Sequence, residues 1–188
     1  MGTREKFLAI LWVACVSALL CGCLGGVSNE KQSSSGSASA SKVQTFSTDL
    51  GDVSIEIPYK LEPNKMSDGT SLYLAKPGIV KPVVSILLQD TWGEDLENFA
   101  AGMVGEDETY TETTTDDGRR MLFYVLDGGR DREGKQVYNY YAFIDYLTDK
   151  GVVVEIMGNS KIVLDGKVLA EFETDEFKNI CRSFAFVS

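Results

Sequence analysis

Residues 135–157 read KQVYNYYAFIDYLTDKGVVVEIM. Lys135 to Leu147 is crowded with aromatic and β-branched side chains and fits a long strand. Gly151 to Met157 is a second such run. Asp149-Lys150-Gly151 between them has the composition of a tight hairpin turn. Two runs that fold back on each other commit the chain to an antiparallel sheet, and everything else has to pack around it.

Further strand signals precede this pair. Val53-Ser54-Ile55-Glu56-Ile57 alternates and stops at Pro58. Ser71 to Leu74 follows the turn dipeptide Asp68-Gly69. Pro82 to Gln89 (PVVSILLQ) is nearly continuous in apolar residues and predicts a central strand with both faces covered. Arg120 to Leu126 has the same character. Two helices are expected. One follows Thr91-Trp92-Gly93-Glu94, which fits a capping box, and carries Leu96, Phe99, Ala100 and Met103 on one face. The other carries Phe177, Ile180, Cys181 and Phe184, and the chain then finishes in Ser183–Val187 as a short strand. Residues 161–172 fit an irregular excursion or an early start of the last helix. Strands, a helix, more strands and a helix make an α+β domain: a layered sandwich with a mainly antiparallel sheet covered by helices.

The N-terminus is of a different kind. Arg4 and Lys6 precede an apolar run from Phe7 to Leu20. A helix there rises about 21 Å, short of the roughly 20 residues that span a bilayer. This is the length of an export signal's apolar region. The run ends in Leu20-Cys21-Gly22-Cys23, which resembles the lipobox of prokaryotic lipoproteins. That resemblance implies that residues 1–22 are a signal peptide and that Cys23 becomes the lipid-bearing first residue. It places the protein outside the cytoplasm, lipid-anchored to the outer face of the cytoplasmic membrane or in a periplasm. Two acyl chains hold a protein on a membrane stably where one does not. Residues 23–42 then supply the lipidated cysteine and a tether rich in Ser, Ala and Gly, with a reach of about 24 Å. Residues 43–188 form a single globular domain.

Composition excludes several functions. The chain has no histidine, so it has neither a Ser-His-Asp triad nor a His-ligated metal. Within 43–188 the single cysteine is Cys181, which sits at a helical core position; no intrachain disulfide or cysteine metal site can form there. No phosphate-binding loop or dinucleotide fingerprint appears, and no cofactor or metal is expected. The whole chain has 18 Lys and Arg against 28 Asp and Glu; loss of Arg4, Glu5 and Lys6 leaves 16 against 27, a formal charge of −11. That balance speaks against nucleic acid, and it leaves membrane contact to the lipid alone.

The layout resembles the PsbP/Mog1/DcrB-like group of α/β/α sandwiches. The resemblance rests on VSIEIP, TWGEDLENFA, YNYYAFIDYL, GVVVEI and a terminal helix running into SFAF. It implies a non-catalytic accessory or partner-binding module, so a protein partner is expected. The same patterns also fit a cystatin-like or other antiparallel α+β fold.

Three sets of residues merit weighing as sites. Tyr138, Tyr140 and Tyr146 share one strand face by parity and, with Trp92, form a candidate aromatic ligand face; the plainer reading is a sheet face packed under a helix. Glu106, Asp107, Glu108, Asp116 and Asp117 form a candidate acidic patch for a cation or a basic partner; the plainer reading is solvated loops. Asp127 to Gly134 fails the calcium-loop pattern, with Gly129 and Arg132 at ligand and glycine positions, and reads as a solvated hairpin loop. Binding of a small ligand or cation, and a hydrolase working with carboxylates alone, stand as alternatives to the accessory module. The hydrolase requires a buried carboxyl of raised pKa in a cleft.

Overall fold

The computed structural model describes residues 42–187. The expected signal peptide, Cys23 and nearly all of the tether lie outside the described residues. The elements in chain order are β1 (Lys42–Thr48), β2 (Gly51–Ile57), β3 (Glu62–Pro63), β4 (Ser71–Ala75), β5 (Val84–Gln89) and α1 (Leu96–Val104). There follow β6 (Tyr110–Thr114), β7 (Arg120–Arg130), β8 (Gln136–Tyr146), α2 (Leu147–Lys150) and β9 (Val152–Asn159). The chain closes with β10 (Lys161–Leu164), β11 (Lys167–Glu171), α3 (Thr174–Arg182) and β12 (Ala185–Phe186). Lys42 is the first residue of β1.

Seven strands form the main sheet in the order β3-β4-β5-β9-β8-β7-β6, every pair antiparallel. A second sheet, β1-β2-β12, and a β10–β11 hairpin complete a mostly antiparallel architecture with few helices. The long strands β8 and β9 pair from Asn139↔Asn159 to Tyr146↔Val152 at the centre. Their connection is not a two-residue turn: Leu147–Lys150 makes a helical turn, and Gly151 ends it in the left-handed region at φ 74°.

Pairing register sorts the side chains onto two faces. One face carries Ile86, Ile156, Ala142 and Phe123, and packs against Phe46, Val53 and Ile55 of the small sheet and Phe177, Ile180 and Cys181 of α3. Tyr140 lies between Phe123 and Phe177, with ring centroids 6.1 and 5.0 Å away. The β9 backbone can approach Phe177 only because residue 158 is glycine: a Cβ there would sit 2.2 Å from the ring. The other face carries Leu122, Tyr124, Phe143 and Val153 beneath Leu96, Phe99 and Ala100 of α1. A second sheet plus one helix therefore covers the first face, and one short helix covers part of the second.

Several local expectations change. β5 is buried on one side only, with Ser85, Leu87 and Gln89 half-buried, because α1 does not reach that part of the sheet. α1 is capped by Asp95, whose carboxylate accepts from the Asn98 N–H at 2.9 Å, and not by Thr91. Met103 is 49% exposed and is not a core residue. Residues 161–172 are neither helix nor loop but the β10–β11 hairpin, turned at Asp165-Gly166 with both residues at positive φ. β1 and β6 carry too few apolar residues to announce themselves; β1 buries only Phe46 and β6 buries none.

Candidate binding cleft

β8 reaches past the end of its core stretch, the β10–β11 hairpin folds alongside, and α3 begins just after that hairpin. Between them lies an open cleft of about 470 Å³. Its aromatic wall is Tyr138 and Tyr140, its polar groups include Gln136, Ser160 and Thr174, and its rim carries Glu171, Glu173 and Glu176. Asp131 and Lys161 also line it.

The scaffold holds these groups in place. Ser160 Oγ accepts from the Tyr138 N–H at 2.9 Å, and the Ser160 N–H returns to the Tyr138 carbonyl at 2.9 Å. The Tyr140 hydroxyl donates to the Phe172 carbonyl at 3.2 Å and lies 3.3 Å from Thr174 Oγ1. Burial raises the Tyr140 pKa, so the phenol stays protonated at neutral pH. Glu173 and Glu176 form a reciprocal capping box at the start of α3. Lys161 Nζ meets Asp131 Oδ2 at 2.7 Å, both side chains mostly buried. The lysine holds the Asp131 carboxyl below the usual range, and the carboxylate raises the lysine. The Asp131 turn is thus pinned to β10, where an unattached solvated loop was expected.

The cleft offers polar and aromatic groups for binding, and its Ser160 and Thr174 hydroxyls are engaged by the scaffold. Among the described residues no carboxylate hydrogen-bonds the hydroxyl of Ser160 or Thr174, so neither has a base to take its proton. Four carboxylates face two ammonium groups, and one of each is consumed in the Asp131–Lys161 pair. What remains is an acidic rim beside a half-exposed tyrosine, a surface for a cationic or hydroxyl-rich group.

The sequence-derived candidates scatter. Tyr138, 39% exposed, and Tyr140, 1% exposed, both line the cleft. Tyr146 is buried against Phe184 and Phe186 and donates to Asp117 Oδ2 at 2.9 Å. Trp92 is 88% exposed in the turn before α1, while Tyr140 and Tyr146 are buried in the core beneath the small sheet and α3. The four do not make one ligand face. The acidic patch also divides. Glu106, Asp107 and Glu108 are exposed before β6, whereas Asp116 and Asp117 follow it, roughly 25 Å of extended chain away. Asp116 pairs with Arg182 at 3.2 Å, and Asp117 is held by Thr115, Tyr146 and Arg119. Gln136, Ser160, Lys161, Thr174 and the three rim glutamates carried no sequence signal. They are ordinary polar residues that only the docking of three elements brings together.

One buried carboxyl stands apart. Glu155 on β9 is 1% exposed, lies between Leu87 and Phe143 by register, and takes one hydrogen bond, from Gln89 Nε2 at 3.1 Å. Burial raises its pKa. It meets the pKa requirement for carboxylate chemistry but lines none of the described clefts. Among the described residues no group of three metal-ligating side chains converges.

No protein-family model matches the chain, and no curated protein matches it. Among solved structures, the chain is similar to the Ran-binding protein Mog1p of Saccharomyces cerevisiae. That match has a TM-score of 0.44 and 12% identity, and covers 78% of this chain and 96% of that one.

Proposed function

We propose that this protein is a lipid-anchored, extracytoplasmic binding module without catalytic activity, acting as an accessory to an envelope or surface complex. The observation that carries the reading is the cleft between β8, the β10–β11 hairpin and α3: it is large enough for a ligand or a partner's side chains, and its hydroxyls lack an activating base. The arrangement Leu20-Cys21-Gly22-Cys23 and the polar segment behind it supply the anchor and the reach. We also assign the domain to the PsbP/Mog1/DcrB-like α/β/α sandwiches. Support comes from β2 stopping at Pro58, the acid-capped helix after β5, the aromatic β8 returning through β9, and α3 running into β12.

The test is in-cell crosslinking and capture of the tagged full chain beside a Cys23→Ser form. A stoichiometric membrane or surface partner, lost with the anchor, is the expected result. Cys23→Ser protein that stays in membranes after salt washing overturns the anchor. Capture of the chain alone overturns the accessory role.

The cleft also supports a second reading, a small-ligand or cation binder, because Tyr138 offers an open aromatic wall beside the rim carboxylates. A ligand that raises Tm for the native chain and not for Tyr138→Ala establishes it. A flat response across metals, amines and sugars removes it.

A further inference from the structure

On the other side of the molecule, the turn Thr91-Trp92-Gly93-Glu94 holds out a tryptophan that the fold does not need. Trp92 is 88% exposed, the most exposed large apolar side chain among the described residues. Its φ is +50°, a conformation that a bulky residue adopts only against a steric cost, and Gly93 beside it is at +90°. The turn is held all the same. Asp90 Oδ1 accepts from the Trp92 N–H at 2.7 Å, the Glu94 N–H donates to the Thr91 carbonyl at 3.1 Å, and Thr91 is buried. α1 starts two residues later, capped by Asp95 and seated by Leu96 and Phe99. The indole therefore stands on a rigid base and would lose little conformational freedom on contact, the usual property of an interface anchor.

The charge around it is of one sign. From Pro82 to Gly118 the chain has ten Asp and Glu and no Lys or Arg. Arg120 takes two of these, Glu97 and Glu112, while Asp116 pairs with Arg182 of α3 and Asp117 accepts from the Tyr146 hydroxyl of β8. Asp90, Glu94 and Asp95 at one end of α1, and Glu106, Asp107 and Glu108 at the other, have no ion-pair partner among the described residues. Carboxylates at a helix C-terminus oppose its dipole, so helix stability does not explain the second trio. Between the two trios, Met103 adds a half-exposed apolar side chain.

We infer that the Trp92 turn and α1 form a docking surface for a basic segment of a protein partner. A lysine or arginine side chain would lie over the indole, and its neighbours would face the carboxylates at the two helix ends. The charge selects this occupant: a bilayer with anionic headgroups, or a second copy of this acidic chain, would be repelled. The surface stands on observations separate from the cleft and survives if the cleft reading fails.

The test places a photo-crosslinking amino acid at half-exposed position 103 of the full chain in cells, leaving Trp92 intact, with position 43 on exposed β1 as the control. The expected product is a protein adduct at 103 and not at 43, whose attached peptide is rich in Lys or Arg. Glu94→Lys together with Glu106→Lys should lower its yield about tenfold. Both changes are at exposed positions, and unchanged thermal unfolding shows that the fold is intact. Adducts only to lipid, to a second copy or to an acidic peptide, no adduct at all, or a yield indifferent to charge reversal overturn the inference.

Discussion

The two faces of the seven-stranded sheet solve the burial problem differently. On the first, Tyr140, Phe172, Phe177 and Phe184 interlock under a second sheet and α3, and few polar atoms intrude. On the second, α1 covers Leu122, Tyr124, Phe143 and Val153, while Leu87, Tyr73 and Met157 stay half-buried and Glu155 sits inside the sheet with one hydrogen bond. The first face supplies most of the apolar burial that stabilises the domain. The second is thinner, and it holds the features that cost stability: an isolated buried carboxyl, a left-handed tryptophan and unpaired acids at a helix end. Such features persist where something other than stability retains them.

That contrast can be broken experimentally. Phe177→Ala should lower unfolding free energy by about 3–5 kcal/mol in urea titrations, and Phe99→Ala under α1 by about half as much, because the short helix can settle into the gap. Equal losses would show that the two cores are equivalent. Gly158→Ala should cost about 1–3 kcal/mol, since its new methyl meets the Phe177 ring. Pairing it with Phe177→Leu should return part of that loss in a double-mutant cycle.

Asp95→Ala removes the α1 cap and should cost about 1 kcal/mol. Faster amide exchange should appear in α1 and not in α3; a change in both would mean that the helices unfold as one unit. Glu155→Gln sharpens the comparison through pH. The folded pKa of Glu155 is raised, so its stabilising effect is complete below the ordinary glutamate value and is lost as pH rises through the folded pKa. The glutamine form should therefore gain stability over the native chain at pH 8 and not at pH 4. A gain independent of pH would refute the ionisation account. The smallest effect belongs to Trp92→Gly, which should match or exceed native stability by up to about 1 kcal/mol, because glycine accepts φ +50° without strain. A clear loss would mean that the indole packs for stability after all.

Much of the first face was legible. The alternation in β2, the aromatic run of β8 and the Phe177–Ile180–Cys181 spacing each state which side is buried, and the structure buries them so. The second face was harder. PVVSILLQ reads as a strand covered on both sides because composition reports apolar content and not how far α1 extends. Thr91 and Glu94 have capping-box spacing, yet Asp95, one residue before the first buried leucine, makes the hydrogen bond. The cleft was nearly invisible, since among its side chains only Tyr138, Tyr140 and, in a loop read as solvated, Asp131 had drawn notice.

From the chain alone follow the contrast between an apolar N-terminal run, a polar stretch and the strand-rich remainder, the antiparallel pairing of β8 with β9, the exclusion of histidine chemistry and, within 43–188, the exclusion of an intrachain disulfide. These depend on composition and on periodicities that are local in sequence. Which tyrosine is core and which lines a cleft, that Asp131 locks onto Lys161, that residues 161–172 form a hairpin, and that Trp92 stands exposed before α1 were decided by tertiary structure. Each depends on contact between elements far apart in the chain, and the energies that settle such contacts are those of packing, desolvation and shape, which no local pattern encodes.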